Sequence, residues 1–383
     1  MTFMTEERRM IQESAREFAQ REVLPLANKL DPVQGDIPME LRDKMGEMGY
    51  FGILIPEEYG GLGLGAAEYC IVAEELSRGW MSVASIMARG NGLIGMKVMT
   101  EAQKQSSLSR MATGEYLGCV ALSEPDVGSD LSAINCRAKR DGDEYVINGN
   151  KYWCTFADGA DFMILVVRTS DPEPGQKGHR GLSVFQVDKP RGSFPEGMTG
   201  NPIPKIGYFG MKTYELAFDD FRIPADCMLG EEGRGFYLMV GGLEIARAHT
   251  AARAIGCAQG AFESALSYSR ERIQFGKPIS DLQSIRFRLA EMSAKIEAAR
   301  QLNNFVCEQV DTGQRCDKES SMTKWFASEM AETVASDALQ VLGGAGFTTL
   351  HPVERYWRDA RLTKIFEGTS EIQLRIISDR LLD

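Results

Sequence analysis

A change of hydrophobic period along the chain constrains its fold more than any other feature. Up to about residue 117 the apolar residues recur at helical spacing. Between Leu117 and about Pro224 they fall into short alternating or continuous runs separated by turn residues. From Gly235 onward helical spacing returns in longer pieces. Helical and strand periods present different faces, so one backbone conformation cannot serve both. The expected class is mainly α with a central β domain. It divides into an N-terminal helical domain over 1–117, a small β-sandwich or barrel over 118–228, and a C-terminal four-helix bundle over 229–383.

Local signals refine this. Thr5 before Glu6 and Glu7 predicts an N-cap, with Met10, Ile11, Phe18, Val23 and Leu24 along one apolar side. Pro38 opens a short helix, and one proline and three glycines make a loop of 55–63. Residues 66–78 read as helix. The apolar stretch Ser82–Met99 carries one arginine, Arg89. Thr100 caps a helix ending near Gly114. Asp141-Gly142-Asp143 and Asn148-Gly149-Asn150 read as hairpin turns around a short strand. Further strands are expected over 151–155, 162–167, 182–187 and 213–221, with a polar, mobile loop over 169–181. Helices are expected over 235–273, 280–312, 317–342 and 352–362.

Close to the C-terminus stands Lys364-Ile365-Phe366-Glu367-Gly368-Thr369-Ser370-Glu371-Ile372-Gln373. Ser370-x-x-Gln373 has the form of a capping box, and Ile372, Ile376, Ile377 and Leu381 follow at roughly helical spacing. Glu367 is therefore expected on a turn before a helix N-terminus. Gly368 lets the backbone bend or approach a ligand there. Taken alone, Glu367 reads first as a surface glutamate in a helix-start loop.

Composition removes several functions. The net charge of −11 argues against a general nucleic-acid or anionic-membrane binder. Eight cysteines form no C-x-x-C pair, the three histidines are scattered, and H-E-x-x-H is missing, so no metal site is expected. The N-terminus is charged, without a signal peptide, and no apolar run is long enough to span a membrane. A cytoplasmic location is expected. G-x-G-x-x-G, the P-loop and G-x-S-x-G do not occur.

Several segments suit a polar or flat ligand, each with an ordinary alternative. Ala121 to Asp130 collects hydroxyls and glycine, or is a turn. Trp153 and Thr155 share a strand face, for a flat ring or for core packing. Arg272 ends a helix as a diphosphate clamp or a solvated cation. Gln340 and Gly343-Gly344 approach a ligand or cap a helix. Glu244 and Arg247 sit i, i+3, the spacing of a surface ion pair.

Their order is more specific than any one of them. Ile-Pro-Glu-Glu-Tyr-Gly-Gly, Ser-Glu-Pro-x-x-Gly-Ser-Asp, Trp-x-Thr, Arg-x-Gln-Phe-Gly-Lys, Gln-Val-Leu-Gly-Gly-x-Gly, Arg358-Asp359-Ala360 and Glu-Gly-Thr-Ser-Glu-Ile-Gln follow one another. Over essentially the whole chain this resembles the acyl-CoA dehydrogenase family. The resemblance implies FAD, an acyl-CoA substrate, electron-transferring flavoprotein as acceptor and a homotetramer. It implies flavin contacts from Leu122, Ser123, Trp153, Thr155, Thr369 and Glu371. Arg272, Gln274, Gln283, Gln340 and Gly344 would serve the diphosphate and adenosine, some across a subunit boundary. Ser129, Glu244 and Arg247 would lie near the CoA portion, and Gly368 would allow close substrate approach. Glu367 would be the base that removes the α-proton, with its own backbone N–H gripping the thioester oxygen. Its pKa would be lowered by the following helix and raised by site closure, burial prevailing once substrate binds. Some relatives carry the base just before the arginine of the Glu244–Arg247 helix, where this chain has Ala246. Arg89 would lie in the helix walling the acyl pocket, pointing to solvent or pairing with a dicarboxylyl tail. An oxidase, a flavin monooxygenase or a non-catalytic FAD-binding protein would share much of this pattern.

Overall fold

The computed structural model describes residues 3–172 and 178–382. The helices of the first block are α1 (Glu6–Phe18), α2 (Leu24–Leu30), α3 (Met39–Glu47), α4 (Ala66–Gly79), α5 (Met81–Met87) and α6 (Glu101–Thr113). Thr5 caps α1 as expected, accepting the Arg8 N–H at 3.2 Å. A π-helical turn at Ala19–Val23 joins α1 to α2. Along α1 the buried residues are Ala15 and Phe18, whereas Met10 is exposed. Thr100 and Gln103 form a reciprocal capping box on α6, and Gly114 ends it in the left-handed region at φ 82°. The stretch Ser82–Met99 is not one helix. α5 stops at Met87, and Gly90, Gly92 and Gly95 follow, the last two at φ 62° and 99°.

The middle block contains β1 (Gly118–Ala121), β2 (Arg137–Asp141), β3 (Glu144–Thr155), β4 (Phe162–Arg168), β5 (Leu182–Asp188), β6 (Met198–Pro202), β7 (Thr213–Pro224) and β8 (Met228–Leu229). They form one hydrogen-bonded sheet in the order β6-β7-β3-β2-β4-β5-β8, with β1 parallel to β4. Every residue of β4 is buried. Met163, Leu165 and Val167 enter one core, and Phe162, Ile164 and Val166 enter another beneath α6. Tyr145 of β3 meets Phe185 of β5 at 5.0 Å between ring centroids, although two strands separate them in the sheet. The sheet therefore curls over on itself.

Asp141-Gly142-Asp143 is the expected β2–β3 hairpin turn, with Gly142 at φ 66°. Asn148-Gly149-Asn150 is not a turn. It continues β3, and the irregularity lies opposite, at Asp220 of β7. The Asn148 amide exchanges hydrogen bonds with the Asp220 side chain and N–H at 2.9 and 3.0 Å, so it serves the ladder. Part of the polar loop expected over 169–181 lies outside the described residues.

The last block has α7 (Gly235–Val240), α8 (Leu243–Glu271), the β9–β10 hairpin (Ile273–Gln274 and Lys277–Pro278), α9 (Gln283–Asp311), α10 (Asp317–Leu342), α11 (Val353–Leu362) and α12 (Ser370–Leu382). The helix expected over 235–273 is broken at Gly241-Gly242. Alanines 251, 254, 258, 261 and 265 of α8 pack with alanines 327, 331, 335 and 338 of α10 in one core. Such small side chains let the two helix backbones approach closely. A larger core runs from Ala15 and Phe18 through Leu165 and Phe218 to Ala248 and Val306, so all three blocks share it.

Candidate active site

Glu367 and Gly368 both occupy the left-handed region, at φ 54° and 88°. That is uncommon for a glutamate and must be held by its surroundings. The Gly368 carbonyl accepts the ammonium of fully buried Lys324 at 2.6 Å and the Gln373 amide at 3.0 Å. Burial pushes the Lys324 ammonium down to about 8. Thr369, not Ser370, caps α12: its hydroxyl receives the Ile372 N–H at 3.3 Å. Ser370 lies inside the first turn and donates to Glu329 at 2.8 Å. The expected capping box does not form: the cap falls one residue earlier, buried Ser370 finds a tertiary partner, and the Gln373 amide turns to the Gly368 carbonyl.

The Glu367 carboxylate meets α8. Thr250 donates to one oxygen and Arg253 to the other. Arg253 also bonds the Thr250 hydroxyl at 2.9 Å and Ser85 of α5 at 2.8 Å, and lies 4.7 Å from the Phe366 ring centroid. Tyr208, from the loop before β7, meets the Phe366 edge at 5.9 Å. Burial pushes the Glu367 carboxyl up, but the Arg253 guanidinium, with the Thr250 hydroxyl, outweighs it and holds the pKa at about 2. The opposing influence is a buried arginine rather than the following helix. The side chain remains 37 % accessible, so the carboxylate is fixed yet reachable. His249 stacks on Tyr69 at 4.7 Å, and burial drives its pKa down to about 3, leaving it neutral.

Ala246 stands one turn before Thr250, whose hydroxyl is 2.9 Å from the Ala246 carbonyl. The position of the rival base is therefore beside the Glu367 cluster and holds no acid.

Trp153 and Thr155 lie near the end of β3. Up to and including Lys151 the buried residues of β3 are the odd-numbered Tyr145, Ile147 and Lys151. A bulge between Lys151 and Cys154, with Trp153 at φ 62°, reverses the phase. Cys154 then points inward and Trp153 outward, with 57 % of its surface exposed. Thr155 is half-buried, its hydroxyl 3.0 Å from that of Thr213. The Ser123 carbonyl accepts the Tyr152 N–H at 2.7 Å, so Leu122 and Ser123 lie beside this platform. Fully buried Lys151 fixes that segment, donating to the Leu122 carbonyl at 2.9 Å and to Glu124 at 2.8 Å. Glu124 also accepts the N–H groups of Asn135 and Cys136 at 2.8 and 2.9 Å.

Arg272, Gln274, Gln283, Gln340 and Gly344 are exposed and do not join Glu367. Arg272 is nineteen residues beyond Arg253 along α8 and its cap, roughly 28 Å at 1.5 Å per residue. Nothing lies within 4 Å of where a Cβ on Gly344 would sit. Ser129 is exposed in the loop after β1, and Glu371 is exposed on the first turn of α12. Glu244 and Arg247 do not pair with each other. Glu244 accepts the Cys316 N–H at 2.9 Å before α10, and buried Arg247 approaches Ser320 at 3.4 Å. Arg89 is half-buried just past α5.

Thr250, Arg253 and Lys324 were not candidates from sequence. The available signal was the i, i+3 pair Thr250 and Arg253 within an alanine-rich helix, which places two polar groups on one otherwise apolar face. Nothing local marks Lys324.

Three family models cover nearly the whole chain: the acyl-CoA dehydrogenase N-terminal domain at 5–115, middle domain at 119–221 and C-terminal domain at 233–382. The chain belongs to the acyl-CoA dehydrogenase family, oxidoreductases acting on CH–CH bonds. Among its relatives is (2S)-methylsuccinyl-CoA dehydrogenase of Cereibacter sphaeroides, 43 % identical over 99 % of this chain and 70 % of the relative. A chain from the structure described as the electron transferring flavoprotein of Acidaminococcus fermentans superposes with a TM-score of 0.94 and 36 % identity, covering 100 % of both chains. Butyryl-CoA dehydrogenase from Megasphaera elsdenii gives 0.93 and 33 %, covering 99 % of both. Among the described residues no helix is long and apolar enough to cross a membrane.

Proposed function

We propose that this chain binds FAD and removes one hydrogen from each of the α and β carbons of an acyl-CoA thioester, with Glu367 as the base. The observation that carries this is the Glu367 carboxylate, accessible but fixed by Thr250 and Arg253 on a left-handed turn. It stands where Ser85 of the first block, Tyr208 of the second and α8 of the third converge. The outward indole of Trp153, beside Thr155 and the tethered Leu122-Ser123, fits a flat heteroaromatic ring. When bound, the flavin supplies the acceptor for the β-hydride.

The residues of the chain manage the proton. Glu367 takes it from the α-carbon while its own N–H holds the thioester oxygen as negative charge develops. Lys324 and Gln373 hold the Gly368 carbonyl and so keep that peptide oriented. Thr369 and Glu371, on the same turn, are assigned to the flavin, and Gly368 to close substrate approach. Ser129, Glu244 and Arg247 are assigned to the CoA portion. A carboxylate with a pKa of about 2 is a weak base, so approach of the thioester must loosen the Arg253 contact.

Arg272, Gln274, Gln283, Gln340 and Gly344 serve the diphosphate and adenosine of a neighbouring copy in a homotetramer. Their exposure and their distance from Glu367 support this, as does Phe275, 90 % exposed at the same end. Electrons pass to electron-transferring flavoprotein, a reading supported by the Acidaminococcus likeness. The named relatives act on a branched dicarboxylyl thioester in one case and butyryl-CoA in another, so they do not select the acyl chain.

Anaerobic mixing with a panel of acyl-CoA esters tests the assignment. Wild-type protein should lose its oxidised flavin absorbance with at least one ester. Glu367→Gln should keep FAD and bind the same ester yet reduce at least about a thousandfold more slowly, as expected for loss of general-base catalysis. Reduction of that variant at the wild-type rate would remove Glu367 from the mechanism.

A further inference from the structure

Arg89 sits where the first helical block meets the Glu367 cluster. Ser82, Ser85 and Arg89 are spaced i, i+3 and i+7, which places them on one side of α5 and its final turn. The Arg89 N–H still bonds the Ile86 carbonyl at 2.9 Å, so the helical course reaches it. This side faces the cluster. Ser82 donates to the Phe209 carbonyl, and Ser85 accepts from the same Arg253 that holds Glu367. Arg89 is four residues beyond Ser85, about 6 Å of helical rise. Its carbonyl accepts the Gly118 N–H at 3.2 Å, tying it to the start of β1.

Its side chain is half-buried, and its Nε is shut from solvent without a hydrogen-bond partner. Among the described residues no carboxylate or carbonyl pairs with its guanidinium. Arg168, by contrast, donates to the carbonyls of Ser132, Ile134, Gly178 and Arg180, and Arg253 has Glu367. The Arg89 charge acts on Tyr69 and His249, the same two rings that the Glu367 charge reaches. A guanidinium Nε shut from water without a partner is unfavourable, and the planar fork of the group matches a carboxylate.

We propose that Arg89 receives a carboxylate at the far end of the acyl chain, which makes the substrate a short dicarboxylyl-CoA. The single helical turn between Ser85 and Arg89 limits the chain length. This rests on the dehydrogenase reading above, and the test separates the two. Glutaryl-CoA is paired with pentanoyl-CoA, and 2-methylsuccinyl-CoA with 2-methylbutyryl-CoA. Binding is measured by calorimetry to the FAD-loaded full chain carrying Glu367→Gln, and flavin reduction is followed in the chain with Glu367 intact.

The dicarboxylyl member of at least one pair should bind at least tenfold more tightly than its neutral partner. Arg89→Met should reduce that ratio by about 30-fold, the lower end of the loss for truncating one partner of a buried charged pair. Arg89→Lys should fall between them and covers the case in which the methionine variant does not fold. A ratio near one in the parent, or a ratio unchanged by either substitution, would overturn the proposal. Equal weakening of all four esters would also overturn it, placing Arg89 at the CoA portion. Flavin that no ester reduces would instead overturn the dehydrogenase reading, while the calorimetric ratio would still decide whether Arg89 selects a carboxylate.

Discussion

At the residue scale, the proposed chemistry depends on the pair Glu367 and Arg253. The folded-state carboxyl lies at about 2, against 4.5 for an unperturbed glutamate. The pair's stabilisation is therefore fully present above about pH 4.5 and is lost as pH falls through about 2. The same depression keeps Glu367 ionised in the free enzyme throughout the mildly acidic range. Arg253→Met leaves burial with much less opposition and must raise that pKa. In wild type, kcat/KM should show no acid limb assignable to Glu367 down to about pH 5. The Arg253→Met variant should acquire one, its rate falling as pH falls. A pH profile of flavin reduction reads this directly, and superimposable profiles would count against Arg253 as the group that sets the base. Glu367 was legible from its neighbours Gly368 and Thr369 and from the order of the motifs. Arg253 was not, since 114 residues separate it from Glu367 and only the packing of α8 brings them together.

At the scale of elements, the bulge in β3 decides what faces out. An unbroken strand would send Trp153 and Thr155 inward with Ile147 and Lys151. The extra residue turns them outward and leaves Lys151 inside with Glu124. That ion pair is fully enclosed, so removing one partner strands the other. Lys151→Met should destabilise the protein by about 3–5 kcal/mol, and Lys151→Met with Glu124→Gln by clearly less. Chemical denaturation of the two variants distinguishes a buried pair from a solvated one, for which both losses would be small. The same substitutions should weaken FAD retention, because the Lys151 ammonium also holds the Leu122 carbonyl. The Asn148-Gly149 pair misled as a turn signal for a related reason: ladder pairing with β7 overrode a local preference.

At the scale of the whole molecule, the blocks are not independent. The N-cap position of α4 is Gly65, which has no side chain to cap it. Asp311 at the end of α9 reaches across and accepts the N–H groups of Ala66 and Ala67 at 2.6 and 3.2 Å. Asp311→Ala should therefore cost about 1 kcal/mol, the usual value of an N-cap, although it lies in a different block from the helix it caps. A lowered midpoint in one cooperative thermal transition is the expected result. Two separate transitions would show that the blocks unfold independently. The shared core from Ala15 to Val306 argues for the single transition.

The sequence by itself determined the order of helical, strand and helical blocks, most of the caps and the carboxylate on which catalysis is proposed to depend. These rest on local periodicity, turn residues and motif order, which act over a few positions at a time. Tertiary structure decided that Thr369 rather than Ser370 caps α12, that the bulge turns Trp153 outward, that Arg253 holds Glu367, and that the Arg89 Nε is shut from solvent with no partner among the described residues. Each depends on groups far apart in the chain meeting in a desolvated place, where an ion pair or an unmet donor outweighs local preference.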